Sequence, residues 1–151
     1  MYDDNYDFYV EIDEDITLKT GIDENLIVDI IQQTIRIKYS EKMIVDITFV
    51  DKETIKKLNN DYRKIDSVTD VLSFPLKEGD FSEFSQKLLG DVIICIDCVE
   101  ENAENNKINF KEELIRVIIH GVLHLLGFDH AIHSEKQIMF EHQEELLKKF
   151  L

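Results

Sequence analysis

Apolar residues recur along this chain at two periods, and the switches between them predict its elements. From Asp23 to about Tyr39, Ile27, Ile30, Ile31, Thr34 and Ile35 share one helical face behind an Asp23 cap. The β-branched content of that stretch keeps a strand as its rival. "MIVDITFV", "DVLSF" and "GDVIICI" read as strands, and "YVEID" as an amino-terminal one. "DKETIKKLNNDYR" reads as a helix capped by Asp51, and a further helix is expected near "VEENAEN". "LKEGDFSEFSQK" is a polar excursion between strands. A long helix runs from about Asn109 to Leu126 and stops at Gly127, and Ser134 is expected to cap a last amphipathic helix, "EKQIMFEHQEELLKKF". Strands and helices mix without strict alternation, which predicts an α+β fold.

Composition narrows the class. The 151 residues are expected to form one domain, with an acidic, less diagnostic segment over 1–22, and the apolar fraction of 44% suits a folded chain. A formal net charge of −15 argues against nucleic-acid binding through a broad positive field. The amino terminus shows neither the basic cap nor the apolar run of a signal peptide, and "VIIHGVLHLLGF" is too short to span a bilayer. A cytoplasmic protein without membrane contact is expected. Cys95 and Cys98 form a C-x-x-C on the strand "GDVIICI", where positions three apart point to opposite faces. They are therefore expected to be buried structural thiols rather than a shared ligand pair, unless the strand ends between them.

The chemistry concentrates in "HGVLHLLGFDH", residues 120–130. On a helical wheel Glu113, Arg116, His120 and His124 share a stripe on an otherwise apolar, hence buried, helix. Side chains at i and i+4 are neighbours, so His120 and His124 can aim at one point. The break at Gly127 lets His130 supply a third nitrogen from a separate segment. Three imidazoles and a water make the open tetrahedral site of catalytic zinc, although nickel, copper or iron suit the same nitrogens. His133 is an alternative ligand or a solvated histidine. His142 borders the core or takes part in catalysis. Asp129 either orients a ligand ring or closes a turn on its own backbone. Glu113 and Arg116 read as a solvated first turn.

The spacing is that of a zinc protease, but Gly121 occupies the place of the protease's glutamate. The nearest carboxylate on the stripe, Glu113, lies roughly 10 Å along the axis from His120. Peptide hydrolysis is therefore disfavoured. A metal still generates hydroxide unaided, which suits a phosphodiester, where a cation must meet charge developing on oxygen. The one locally basic stretch, "DKETIKKLNNDYRKIDSVTDVLSFP", offers Arg63 for a two-pronged phosphate contact, against the ordinary role of an arginine at a helix end.

"LNNDYRKIDSVTDVLSFP", "LLGDVIICID", "HGVLHLLGFDH" and "MFEHQEELL" together resemble the successive signatures of the YbeY family, bacterial endoribonucleases of ribosomal RNA maturation, from about Met43 to the carboxyl end. The resemblance implies a zincin-like α+β domain with a small mixed sheet. It implies zinc on His120, His124 and His130, and Arg63 as the functional arginine in the cleft near the metal. It implies cleavage of single-stranded RNA in maturation of the 3′ end of small-subunit (16S) ribosomal RNA and in ribosome quality control. The partners implied are the small subunit, one of its ribosomal proteins and the GTPase Era. Val68 stands where a proline is common and Phe128 where tyrosine is commoner. The residue reading keeps a second class open: an acidic, zinc-stabilised adaptor of small-subunit assembly. The third, a metallopeptidase, lacks its carboxylate at Gly121.

Overall fold

The computed structural model describes residues 9–76, 88–128 and 133–151. The chain order is β1 (Tyr9–Val10), α1 (Glu14–Thr20), α2 (Glu24–Ile35), β2 (Ile44–Val50), α3 (Lys52–Arg63), β3 (Val71–Pro75), β4 (Leu88–Cys95), α4 (Ile96–Asn106), α5 (Phe110–Leu125) and α6 (His133–Lys148). The sheet runs β1-β2-β4-β3, with β1, β2 and β4 parallel and β3 antiparallel to β4 along one edge. This is the expected α+β fold with a small mixed sheet.

Local chemistry explains most element boundaries. Asp23, Asp51 and Asn109 each accept a hydrogen bond from the backbone amide three residues on, at 2.8–2.9 Å, and so satisfy an orphan donor of α2, α3 and α5. Helix α2 is a helix and not the rival strand, and its face of Ile27, Ile30, Ile31, Thr34 and Ile35 is buried. It ends at Ile35, short of Tyr39. One element was not foreseen and two expectations need correction. Glu14–Thr20 forms a helix inside the acidic segment, fastened by Ile16 and Thr20 into the core. Ser134 lies within α6, which starts at His133, so it is not the cap. The strand holding Cys95 does end there, and Ile96 opens α4, so the two cysteines share one apolar cluster rather than opposite faces. They are free and buried as expected, and burial, then the hydrogen bond with Cys95, pushes the Cys98 thiol up to about 12. A thiol that resists ionisation is a poor nucleophile and a poor metal ligand. Most of the polar excursion, 77–87, lies outside the described residues.

Helix α5 is the centre of the molecule. Leu114, Ile115, Ile118, Ile119, Val122 and Leu123 are fully buried, and the helix touches α1, α2, α4, α6, β3 and β4. Truncating any one of these leucines or isoleucines to alanine costs about 2–5 kcal/mol. The helix lies on the sheet face that carries Val45, Ile47, Val92 and Ile94. Helix α3 covers the other face through Ile55, against Leu72, Cys95 and Cys98. The end of α5 follows the glycine logic: Gly127 has φ +98°, its amide donates to His124 O and that of Phe128 to Leu123 O. Lys38 Nζ donates to Leu126 O at 2.7 Å, closing one more orphan carbonyl.

Candidate functional site

The stripe read from the wheel exists, and Glu113, Arg116 and His120 of it line a cavity with Val71 at the start of β3. His120 and His124 are half-buried, their Nε2 atoms 3.2 Å apart and their rings nearly perpendicular at 76°. Two imidazole nitrogens so placed share either a proton or a cation, because facing lone pairs repel. Two nitrogen ligands of one tetrahedral zinc at 2.0–2.1 Å stand about 3.3 Å apart, so the pair fits a metal's requirement. His130 and Asp129 lie outside the described residues, and among the described ones no group of three metal-ligating side chains gathers. His133 is the exposed first residue of α6. His142 borders the core, its ring edge-on to Phe128 at 5.5 Å.

Gly121 explains the missing glutamate. A Cβ there would meet Val92 Cγ1 at 2.6 Å and Val71 Cγ2 at 3.3 Å. The position faces the sheet, and Ser73 Oγ donates to Gly121 O at 2.9 Å to fasten the helix against β3. No side chain at 121 reaches the histidines without prising α5 from the sheet.

Glu113 and Arg116 are not the solvated first turn the sequence suggests. Arg116 grips Glu144 of α6 through two parallel bonds of 3.1 Å, and also reaches Glu113 at 3.2 Å and Glu112 at 3.3 Å. The bonds to Glu144 come first among the influences that hold its guanidinium above the ordinary pKa. On Glu144, burial pushes the pKa upward, but hydrogen bonds from Arg116 and Gln143 together with the Arg116 charge outweigh it, and the net direction is down. Gln143, 7% exposed, lies between Glu144 and His120, at 3.1 Å from Glu144 Oε2 and 2.8 Å from His120 Nδ1.

Two cavities flank the His120–Gln143 pair. One of about 190 Å³ is lined also by Lys136, Met139 and the exposed Phe140. The other, of about 230 Å³, is lined also by Asp70, Val71, Glu113, Arg116 and Val117. Glu113 is committed to Arg116, whereas the Asp70 carboxylate has no hydrogen-bond partner among the described residues. Sequence reasoning missed Asp70 and Gln143 because each sits on a different element from the histidines. Arg63, the last residue of α3, is exposed and lines neither cavity. Its helix packs on the far face of the sheet, and its neighbour Tyr62 rests edge-on against Phe74 of β3 at 5.3 Å. Arg63 thus ends a helix that packs on the sheet face opposite α5.

The profile of the family described as Endoribonuclease YbeY matches residues 10–151. The chain belongs to the YbeY family. An Endoribonuclease YbeY of Staphylococcus epidermidis is 38% identical over 146 residues, covering 90% of this chain and 94% of the relative. A YbeY of Staphylococcus aureus is 42% identical over 111 residues, 70% of this chain and 72% of that one. The solution structure of TM1509 from Thermotoga maritima superposes with a TM-score of 0.60 at 30% identity, covering 93% of this chain and 85% of that one. The matched range contains the half-buried histidine pair and all of β3.

Proposed function

We propose that this protein is a zinc-dependent endoribonuclease that cuts single-stranded RNA in the cytoplasm, in maturation of the 16S ribosomal RNA 3′ end and in ribosome quality control. The observation that carries the reading is the 3.2 Å approach of His120 and His124 Nε2 on a helix whose glutamate position is closed by the sheet, in a chain of the YbeY family. His120, His124 and His130 would hold the ion. When bound, it acidifies a water and offers positive charge to phosphoryl oxygen. The chain's own residues do the rest. Asp70 Oδ, on the wall of the cavity that His120 also lines, would hold a proton in the role the glutamate fills in zinc proteases. Arg63, across β3, grips a phosphate of a strand laid over that edge. Lys136 and Phe140, beside His120, offer charge and a stacking face to flanking nucleotides. The partners on this reading are the small ribosomal subunit, one of its proteins and the GTPase Era.

The acidity of the chain favours one rival, an adaptor in which zinc serves only the fold. A cleavage assay on unstructured RNA separates the two. The nuclease loses activity on chelation and regains it with zinc, and His124→Ala and Arg63→Ala lose at least tenfold in kcat/KM. Asp70→Asn is expected to lose about 10²–10⁴-fold in kcat with little change in KM. Equal cleavage by parent and His124→Ala assigns the activity to a contaminant.

A further inference from the structure

The second ring nitrogen of His120 meets a buried side chain on another helix. Neutral imidazole carries its hydrogen on either nitrogen, and only the bare one can bind a metal. The partner of His120 Nδ1 is the Gln143 amide, 2.8 Å away, and an amide offers an acceptor at one end and donors at the other. The far end decides which. Gln143 Nε2 lies 3.1 Å from Glu144 Oε2, and a carboxylate accepts but never donates. Arg116 in turn holds Glu144 in the charged form with a two-pronged grip, so Glu144 can only be an acceptor. With Nε2 turned to Glu144, Gln143 Oε1 must face His120, and Nδ1 must carry the hydrogen.

We infer that Gln143 is a positioning residue for the metal: locked by Arg116 and Glu144, it holds His120 in the Nδ1–H tautomer and leaves the Nε2 lone pair as the ligating atom. This rests on the metal reading above. Gln143 touches no substrate in this arrangement; it acts through His120. Outer partners of ligating histidines set ring orientation and basicity, and their loss typically weakens metal binding 10–100-fold. A residue needed only for packing would be replaced without loss by methionine, which has nearly its volume and no hydrogen bond to give.

The full-length, zinc-loaded protein tests this by two measurements that do not use RNA. Chelator competition gives the zinc Kd, and ¹H–¹⁵N spectra of the imidazoles show whether His120 Nδ1–H is a protected, hydrogen-bonded proton. Gln143→Met is expected to raise Kd 10–100-fold and to lose that protection, and Glu144→Gln, whose amide no longer dictates the orientation of Gln143, to shift both in the same direction by less. If Gln143→Met does not fold, Glu144→Gln carries the test alone. A Kd within twofold of the parent with the Nδ1–H signal retained overturns the inference. A parent that binds zinc under Gln143 control but leaves RNA intact overturns the nuclease reading only, and a parent that takes up no zinc overturns both.

Discussion

Position 121 sets how closely the histidine helix approaches the sheet. A methyl group there enters the contact radius of Val92 and Val71, both β-branched and stiff at χ1, so the neighbours cannot swing away cheaply. Overpacking of this kind costs about 1–3 kcal/mol, and alanine returns up to about 1 kcal/mol of helix propensity. Gly121→Ala is therefore expected to lose about 1–2 kcal/mol net, lowering the melting midpoint by about 2–8 °C in calorimetry. Gly121→Glu, which writes the protease motif into the sequence, should unfold the domain or displace α5, with no casein hydrolysis gained. A soluble variant with peptidase activity would show that position 121 faces the metal after all. The sequence showed that the glutamate is missing; only the packing shows why none could be there.

At the scale of elements, α5 and α6 are clasped by Arg116 between Glu113 and Glu144. Arg116→Met strands three carboxylates, Glu112, Glu113 and Glu144, and is expected to cost about 1–3 kcal/mol at neutral pH. The sign with pH follows from Glu144. Its folded pKa is depressed, so its stabilisation is present above the unfolded value near 4.5 and is lost as pH falls through the folded value. Denaturant midpoints of parent and variant should thus converge as pH falls through that folded value, and a gap that persists in stronger acid would assign the loss to packing. The sheet offers the opposite sign. Asp46 and Asp91 sit side by side on parallel β2 and β4, and burial, with Asp91 adding repulsion, raises the pKa of Asp46 above 3.8. The penalty appears as pH rises through that raised value, so Asp46→Asn should gain about 0.2–1 kcal/mol at pH 7 and nothing at pH 3. Caps and apolar periods made α2, α3 and α5 legible in advance, because those signals are local. The clasp was not legible: Gln143 and Glu144 read as one polar face of a last helix until α6 is laid on α5. Helix α1 escaped for the opposite reason, its two buried residues being too few to show a period among acids.

For the molecule as a whole, the unresolved tension of the sequence is a charge of −15 on a protein read as meeting RNA. The structure confines the conflict to one edge. Of the cations on and just after α3, Lys52 is tied to Glu101 and Lys56 lies 4.0 Å from Asp66, which leaves Lys57, Arg63 and Lys64 without an ion pair among the described residues. If those three are the phosphate contacts, log K for a single strand should fall against log salt with a slope of about −2, from about −0.7 per contact. Between 50 and 200 mM salt, that is about 15-fold weaker binding, readable by fluorescence anisotropy on a labelled single-stranded RNA. Arg63→Ala should flatten the slope by about 0.7 at every salt concentration. A slope steeper than about −4 would require a basic surface larger than this edge holds, and a slope of zero would mean that no phosphate is gripped there. An otherwise acidic surface makes the shallow slope a specific expectation, because repulsion elsewhere lets only a locally cationic edge hold the strand near the histidines.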